Sequence, residues 1–357
     1  VLSGVPYWMM AIEPVTFLRK AWRYRPFFKT CKWWEIDGVP VRYVPYPAGG
    51  PLWTQGSPYS KALLQAAAEL YEHFPFEFVH AHMSYLDGPA GLKIKQRYTV
   101  PLFITEHTGP FDNLLRTKSM KEETLRAING SDAVIAVSTA LKRAIAKYTT
   151  REIEVIPNGV DTTLFSPPEK WEPNPEEPRL LFVGHLAPEK DVPNLLKAFA
   201  LVLKEIPAAT LTMVGGTVSE ELKREVEGLM TSLGISEAVK RVGPKNREEV
   251  AEIMRNQCDL VVLSSVVETF GCVLIEALAS GKPVVATRCG GPEDIVMEDV
   301  GLLVPVKDTD ALSQAIVQAC TTLDTFDYLA HSKLTRSKYE YGKMASRIAD
   351  CYDAKMD

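Results

Sequence analysis

Two glutamates, Glu268 and Glu276, flank a turn that opens a helix. The run 260–265 (LVVLSS) predicts a short buried strand, and the periodicity of 271–279 predicts a helix directly after it. In an open α/β sheet, the end of a strand that leads into a helix is where ligands bind. The free N–H groups of a helix start, together with its dipole, favour anionic charge. The candidate donors are the backbone N–H groups of Thr269, Phe270, Gly271 and Cys272.

Basic and imidazole side chains follow other predicted strands. Lys190 follows the strand 180–183 after a short loop, and His185 comes directly after Gly184. His107 follows the strand 102–105. A lysine carries a positive charge, whereas a histidine donates one neutral hydrogen bond or is charged only when protonated. For His185, simple packing at the strand end is an equally open interpretation.

His80 and His82 alternate along a strand, so they are expected to point to opposite faces, which opposes a shared metal ion. Of the two, His82 is chosen as the one that reaches the site. No other His, Cys, Asp or Glu group has ligand spacing, so we expect no metal and no cofactor.

Length and composition set the class. A chain of 357 residues with 46% hydrophobic content favours about two domains. A net charge of -5 argues against a nucleic-acid partner. The six cysteines lack CxxC spacing, and the sequence shows no membrane span or signal peptide, so a reducing cytoplasm is expected.

Strand-like and helical runs alternate along the chain, which predicts parallel sheets with right-handed crossovers. The acidic, proline-rich stretch 166–178 has no periodicity and is interpreted as a linker. The same alternation restarts at Arg179. Two successive doubly wound units are therefore expected.

The segment 268–276 (ETFGCVLIE) resembles the Glu-x7-Glu signature of the retaining GT-B glycosyltransferases of family 4, also called group 1. Further blocks match that family in the expected order, from about Phe78 to the C-terminus. They are ITEHTGP around His107, AVIAVS from Ala133, IPNGVD from Ile156, LFVGHLAPEK from Leu181, Gly215-Gly216, VGP from Val242 and GGPE from Gly290.

The resemblance implies two Rossmann-like domains facing across a deep cleft. We expect an acceptor-side domain at 1–163, to which a C-terminal helix at 337–357 crosses back. We expect a nucleotide-sugar-binding domain at 164–336. The family begins with a strand and a Gly-Gly loop, so the opening Val1-Leu-Ser-Gly4 suggests that the first strand is missing and that Gly4 is a remnant of a phosphate loop.

The resemblance also implies residue roles. Glu268 and His107 are expected at the reaction centre, with Glu268 holding sugar hydroxyls. Lys190 is expected at the donor phosphates and Glu276 at the ribose. Relatives mostly carry arginine where this chain has His185. Gly290, Gly291 and Glu293 are further candidates on the base or phosphate side.

The expected reaction is metal-independent transfer from a nucleoside diphosphate sugar to a glycan or lipid-linked acceptor, in the synthesis of a cell-surface polysaccharide or glycolipid. The segment 19–34 mixes six basic with six aromatic residues and has no acidic one. It suits either peripheral contact with the inner membrane surface or an acceptor-side loop whose aromatic rings pack or stack on sugars.

Other functions stay open at this point. A non-catalytic nucleotide-sugar-binding subunit would have the same fold and bind the donor without turnover. A sugar-nucleotide 2-epimerase lacks this Glu-x7-Glu arrangement, and a phosphorylase is a much longer chain. A dehydrogenase is disfavoured because no Gly-x-Gly-x-x-Gly follows a strand.

Overall fold

The structure is a computed structural model, and it describes residues 1–8, 33–36, 38–48 and 56–356. The chain forms two compact units. Unit 1 comprises Val1–Ala136, Lys142–Val155 and Asp350–Asp357, and unit 2 comprises Val137–Leu141 and Ile156–Ala349. These limits describe packing, and the domain limits expected from the sequence stay a prediction.

Two sheets lie in the described part of unit 1. Its strands are β1 (Leu2–Trp8), β2 (Trp33–Ile36), β3 (Val39–Ala48), β4 (Val79–His82), β5 (Leu102–Glu106), β6 (Ala133–Ala136) and β7 (Glu154–Val155). One sheet has the order β1-β3-β2, and the other has the order β4-β5-β6-β7. All pairings in the second sheet are parallel. All five residues of β5 are buried, as expected for a strand covered on both faces.

Helices connect these strands. They are α1 (Gly56–Tyr71), α2 (Asp87–Tyr98), α3 (Lys118–Gly130) and α4 (Thr139–Ala146). Thr117 caps α3, because its side chain accepts a hydrogen bond from the Met120 backbone N–H. The strand and helix alternation predicted from Phe78 to Ile156 is confirmed, with limits that differ by a few residues.

The prediction that Gly4 belongs to a phosphate loop is wrong. Gly4 lies inside strand β1, where it pairs with Val44, and it is not the remnant of a loop. Pro6 lies inside the same strand. Because β1 is at one end of its three-stranded sheet, a proline that lacks a backbone donor is tolerated there.

Unit 2 contains one six-stranded parallel sheet. Its strands are β8 (Arg179–Val183), β9 (Thr210–Val214), β10 (Val239–Gly243), β11 (Leu260–Leu263), β12 (Val284–Thr287) and β13 (Gly301–Val304). Their spatial order is β10-β9-β8-β11-β12-β13. This is the 3-2-1-4-5-6 order of the Rossmann fold. No strand or helix lies in 166–178, but Trp171 of this stretch is buried in the hydrophobic core of unit 2, and the linker interpretation stays a prediction.

The helices of unit 2 follow from the sequence pattern. They are α5 (Val192–Glu205), α6 (Glu220–Ser232), α7 (Arg247–Asn256), α8 (Cys272–Ala279), α9 (Thr309–Thr321), α10 (Tyr328–Tyr339) and α11 (Tyr341–Met356). In α5, Leu195, Phe199 and Val202 repeat on one face and are fully buried. Asn246 and Glu249 form a capping box at the start of α7.

The C-terminal helix differs from its prediction. A helix was expected at 337–357, but α10 ends at Tyr339 and α11 begins at Tyr341. Glu340 between them leaves the helical conformation, with φ -55° and ψ 139°, and its backbone forms a bridge with Val160. The last residues of α11, from Asp350, belong to unit 1. There the Tyr352 ring packs on Phe103.

Candidate functional site

The strand order of unit 2 creates a switch point between β8 and β11. These two strands are neighbours in the middle of the sheet, and the strand order runs outward from them in opposite directions. The loops after their carboxyl ends therefore diverge and leave a crevice, which is where open α/β sheets bind ligands. Lys190 follows β8, and Glu268 follows β11.

The structure brings Lys190 and Glu268 together. Lys190 Nζ is ion-paired with Glu268 Oε1, and the two side chains are only 22% and 13% exposed. Ser265 Oγ donates to the same carboxylate oxygen over 2.8 Å. The backbone oxygen of Lys190 accepts a hydrogen bond from Ser264 Oγ at 2.8 Å. The loops after β8 and β11 are thus tied together by side-chain and backbone contacts.

Two glycines after β12 allow a close backbone approach to Glu268. The Glu268 N–H donates to the Cys289 oxygen at 2.9 Å, and Gly291 N–H donates to the Glu268 oxygen at 2.9 Å. Gly290 has φ +121°, and a Cβ there would lie 2.6 Å from the Glu268 oxygen. At Gly291, a Cβ would lie 2.2 Å from the Phe270 Cα. Both positions therefore require glycine.

Helix α8 begins beside this pair. Its cap, Gly271, is left-handed with φ +98°. Within the described residues, the N–H groups of Thr269, Phe270 and Gly271 donate to no protein acceptor, so they are free for an anionic ligand. Phe270 is buried, so only its backbone is available. Cys272 is exposed as a whole residue. Its thiol is nevertheless partly desolvated by its surroundings, which raises the pKa of the thiol to about 11.

Glu276 lies on α8 with a partner that the sequence analysis missed. The Arg247 guanidinium lies 3.6 Å from Glu276 Oε1. The same arginine lies over the rings of Phe165 and Tyr341, at 5.5 and 6.0 Å. Burial raises the pKa of Glu276 to about 7, and Arg247 opposes that rise. The only sequence signal for Arg247 was its place in the first turn of α7, close after the VGP block.

Gly184 and His185 lie on the β8 side. A Cβ at Gly184 would be 3.6 Å from Lys190 Cε, so the lysine stem passes close to this glycine. His185 is exposed, and its ring has no hydrogen bond to any described residue. Its contact with a ligand phosphate stays a prediction, and so does the alternative of simple packing at the strand end.

Glu293 supports the loop after β12. Its Oε2 accepts a hydrogen bond from the Gly290 N–H at 2.8 Å. This contact holds the loop that approaches Glu268, and a direct contact of Glu293 with a ligand stays a prediction.

Unit 1 carries a histidine cluster at the carboxyl ends of β4 and β5. His82 Nδ1 and His107 Nε2 are 3.1 Å apart, and their rings are stacked at 5.4 Å. His80 contacts Tyr352 Oη and, at 2.7 Å, Thr105 Oγ1. Burial is the largest cause of a lowered pKa at all three imidazoles, and it brings His80 to about 3. The cluster therefore favours neutral rings.

The predicted opposite orientation of His80 and His82 is wrong. Their rings are stacked, with centroids 4.6 Å apart. Side chains change face with every residue of a strand, so positions two apart, such as His80 and His82 on β4, lie on the same face. The prediction misapplied this rule, and the stacked rings agree with it.

Several expectations concern absences or undescribed residues. Residues 19–32 of the basic and aromatic segment lie outside the described part of the chain, whereas Trp33 and Trp34 lie on β2 and are exposed. No described helix is long and apolar enough to cross a membrane. No group of three potential ligands for a metal ion was found among the described residues.

Comparisons with known proteins show the family of this chain. Residues 166–322 match the family model described as glycosyl transferases group 1, and residues 15–164 match that of glycosyltransferase family 4. A D-inositol 3-phosphate glycosyltransferase of Streptosporangium roseum is 30% identical over 349 residues, which cover 89% of this chain and 80% of the relative. One of Mycobacteroides abscessus is 31% identical over 308 residues, 78% of this chain and 67% of the relative.

Solved structures show the same fold. Sucrose-phosphate synthase from Thermosynechococcus elongatus has a TM-score of 0.75 at 22% identity, covering 90% of this chain and 84% of the other. Anabaena Alr3699/HepE in complex with UDP-glucose has a TM-score of 0.73 at 21% identity, covering 98% of this chain and 99% of the other.

Proposed function

Because the chain belongs to family 4, group 1, of the GT-B glycosyltransferases, we propose that it transfers a sugar from a nucleoside diphosphate sugar with retention of anomeric configuration and without a metal ion. The observation that carries this proposal is the Lys190–Glu268 pair at the switch point of the unit 2 sheet. It sets a positive and a negative group beside a helix N-terminus. The donor needs both, since its diphosphate is anionic and its sugar becomes cationic during transfer.

The diphosphate is the leaving group. Lys190 supplies one fixed positive charge, and the free N–H groups of Thr269, Phe270 and Gly271 supply oriented dipoles at the start of α8. Such preorganised donors stabilise charge where it develops in the transition state. This arrangement supports a reaction in which no metal ion is needed at the phosphates.

Glu268 stabilises the reacting sugar. Its carboxylate holds sugar hydroxyls and offsets the positive charge that develops at C1. The bond between C1 and the phosphate oxygen breaks, and C1 bonds to the acceptor oxygen on the same face. The acceptor proton passes to the leaving phosphate. Retention therefore needs no covalent sugar on the enzyme.

Glu276 binds the nucleoside of the donor. It lies on α8, and its carboxylate accepts hydrogen bonds from a ribose diol. Arg247 beside it helps to keep the carboxylate charged. Glu268 precedes the helix and Glu276 lies within it, so we assign different parts of the donor to the two carboxylates.

The acceptor is a glycan or a lipid-linked molecule, in the synthesis of a cell-surface polysaccharide or glycolipid. The relatives named D-inositol 3-phosphate glycosyltransferases make that compound the first soluble acceptor to test. UDP-glucose, which is bound in the Anabaena Alr3699/HepE structure, is likewise the first donor to test.

Peripheral membrane contact through 19–34 and a cytoplasmic location belong to the same proposal. Twelve of the sixteen residues of this segment are basic or aromatic, and its two described tryptophans, Trp33 and Trp34, are 43% and 46% exposed. The five described cysteines are free thiols, in keeping with a reducing compartment. Sedimentation with anionic vesicles, compared with neutral vesicles, tests the contact. Equal binding to both would contradict the role of the basic residues.

The test of function is a donor screen with two readouts. Binding is measured by the rise in melting temperature with each nucleoside diphosphate sugar, and turnover by release of the nucleoside diphosphate with and without acceptor. NMR of the product gives the anomeric configuration. Turnover with an inverted product would refute retention. Donor binding without turnover for any acceptor would support the alternative, a non-catalytic nucleotide-sugar-binding subunit.

A further inference from the structure

A buried carboxylate under the histidine cluster of unit 1 has no role in the proposed reaction so far. Glu106 is the last residue of β5, directly before His107, and it is fully buried. Its Oε1 accepts hydrogen bonds from the backbone N–H groups of His107 at 2.9 Å and Thr108 at 2.7 Å. Its Oε2 accepts from Ser84 N–H at 2.8 Å and from Ser84 Oγ. All four partners are donors.

These four bonds join two loops. Ser84 is two residues beyond His82 in the loop after β4, while His107 and Thr108 begin the loop after β5. The carboxylate therefore links the two loops whose histidines meet at 3.1 Å. A carboxylate has two oxygens and about four lone-pair sites, and this arrangement uses all of them.

The loop after β4 needs such an anchor because its backbone is strained. Met83 and Leu86 have φ +88° and +64°, a region that side chains with a Cβ rarely adopt. Leu86 has ψ -68°, and Asp87 N–H donates to the Tyr85 oxygen at 2.9 Å. This is the tight γ-turn, which is rare and strained. Strained residues persist only where the surroundings hold them, and Ser84, between the two, is held by Glu106.

We propose that Glu106 is a positioning residue for sugar transfer: by tying the loop after β4 to the loop after β5, it fixes the His82–His107 pair at the reaction centre. The inference rests on the proposed function for its kinetic consequences. The geometry of the tie itself does not depend on it.

The variant to test is Glu106→Gln, which keeps the shape but replaces one acceptor oxygen by an NH2 group that faces donors. Asp132→Asn is the matched control. Asp132 lies directly before β6, and its Oδ2 accepts hydrogen bonds from Leu102 N–H, at the start of β5, at 2.7 Å and from Lys95 Nζ at 2.6 Å. The Asp132→Asn variant therefore weakens a similar set of hydrogen bonds to a carboxylate, far from the histidines.

With Glu106→Gln we expect kcat to fall about 100-fold, as for a catalytic group displaced by about 1 Å, while the affinity for the free nucleotide stays unchanged. Asp132→Asn should lower the melting temperature without this loss of kcat. If the two variants lose the same activity, or if activity follows melting temperature, the proposal is wrong. Should Glu106→Gln fail to fold, Ser84→Ala removes only the hydroxyl bond and should give a smaller loss of the same kind.

A double-mutant cycle tests whether Glu106 acts through His107. If it does, Glu106→Gln/His107→Ala should be no slower than His107→Ala alone. Losses that multiply in the double variant would show that Glu106 acts independently of the histidine.

A measurement without substrate separates this inference from the proposed function. The pKa of His107 is lowered by burial and by His82, and raised by Glu106. In an NMR titration of the free protein, Glu106→Gln should therefore move the His107 titration to lower pH, and Asp132→Asn should not. An unchanged His107 titration would overturn the proposed tie, even if no donor or acceptor is ever turned over.

Discussion

Lys190 Nζ and Glu268 Oε1 form an ion pair across the loops that follow β8 and β11. The lysine that we assign to the donor phosphates is thus paired with the carboxylate that we assign to the sugar. In the proposed reaction, the diphosphate would share or replace that carboxylate as the partner of Lys190. Leaving-group stabilisation and sugar binding would then be coupled through one contact.

Glu268→Gln should lower kcat about 100-fold or more, because it removes a charge that stabilises the cationic sugar. The affinity for the free nucleotide should stay equal or rise, since Lys190 loses its competing partner. Turnover assays and nucleotide titrations by calorimetry measure both quantities. Glu189→Gln, an exposed position next to Lys190, is the control. A nucleotide affinity that falls as much as kcat would contradict the assigned roles.

Glu276→Gln should weaken nucleotide binding but stabilise the fold above pH 7. Burial raises the pKa of Glu276 from 4.5 to about 7, so the folded protein holds the proton more tightly than the unfolded chain does. Ionisation of this group therefore costs stability as the pH rises from about 4.5 to 7, by up to ~3 kcal/mol. Urea unfolding at pH 5 and pH 8 measures the effect, with the exposed Glu252→Gln as control. A variant less stable than the wild type at pH 8 would contradict it.

Arg247→Gln should weaken nucleotide binding at pH 7. Without the guanidinium, which lowers the pKa of Glu276, that pKa rises further and less of the carboxylate is charged. Because a higher pH restores the charge, part of the lost affinity should return at pH 8.5. Arg241→Gln is the matched control, because Arg241 also pairs with a glutamate, Glu227. Equal affinity losses at both pH values would show that Arg247 acts by direct contact alone.

His185→Arg should tighten donor binding if the exposed imidazole faces the diphosphate. Arginine carries a permanent charge and a bidentate fork, and one charge-assisted hydrogen bond contributes about 1.5 kcal/mol or more, roughly tenfold in affinity. His185→Ala should weaken binding. His73→Arg, at an exposed position in unit 1, controls for net charge. Unchanged affinity in both His185 variants would remove this residue from the donor site.

Chelation should leave the transfer rate unchanged, since Lys190 and the α8 N-terminus supply the positive potential at the diphosphate. Rates are compared after dialysis against EDTA and after addition of magnesium or manganese. Activity that disappears with EDTA and returns with either metal would refute metal independence.

Much of the fold was predictable because most strands and helices from β4 onward carry their own local sequence signal, such as a buried run or a helical period. The buried run at 260–263 and the glycine before Cys272 define the strand and helix that hold Glu268, and the structure agrees. The ion pair between Lys190 and Glu268 was not predictable, since 78 residues separate the two. It depends on β8 and β11 being neighbours in the sheet, and no local sequence pattern predicts that pairing.

The error at His80 and His82 came from misapplying the two-residue period of a strand, since side chains two positions apart lie on the same face. Arg247 and Glu106 were missed because a surface arginine and a strand-end glutamate carry no motif until their partners are known.

Unit 1 is built from three separate stretches of the chain. This affects how it folds during synthesis on the ribosome. The packing of Tyr352 on Phe103 and its contact with His80 come from a segment synthesised almost 200 residues after unit 1 would otherwise be finished at Val155. At about 5–20 residues per second, the nascent first unit waits roughly 10–40 s for this ring. Throughout that interval, the pocket that receives Tyr352 is exposed to chaperones and to misfolding partners.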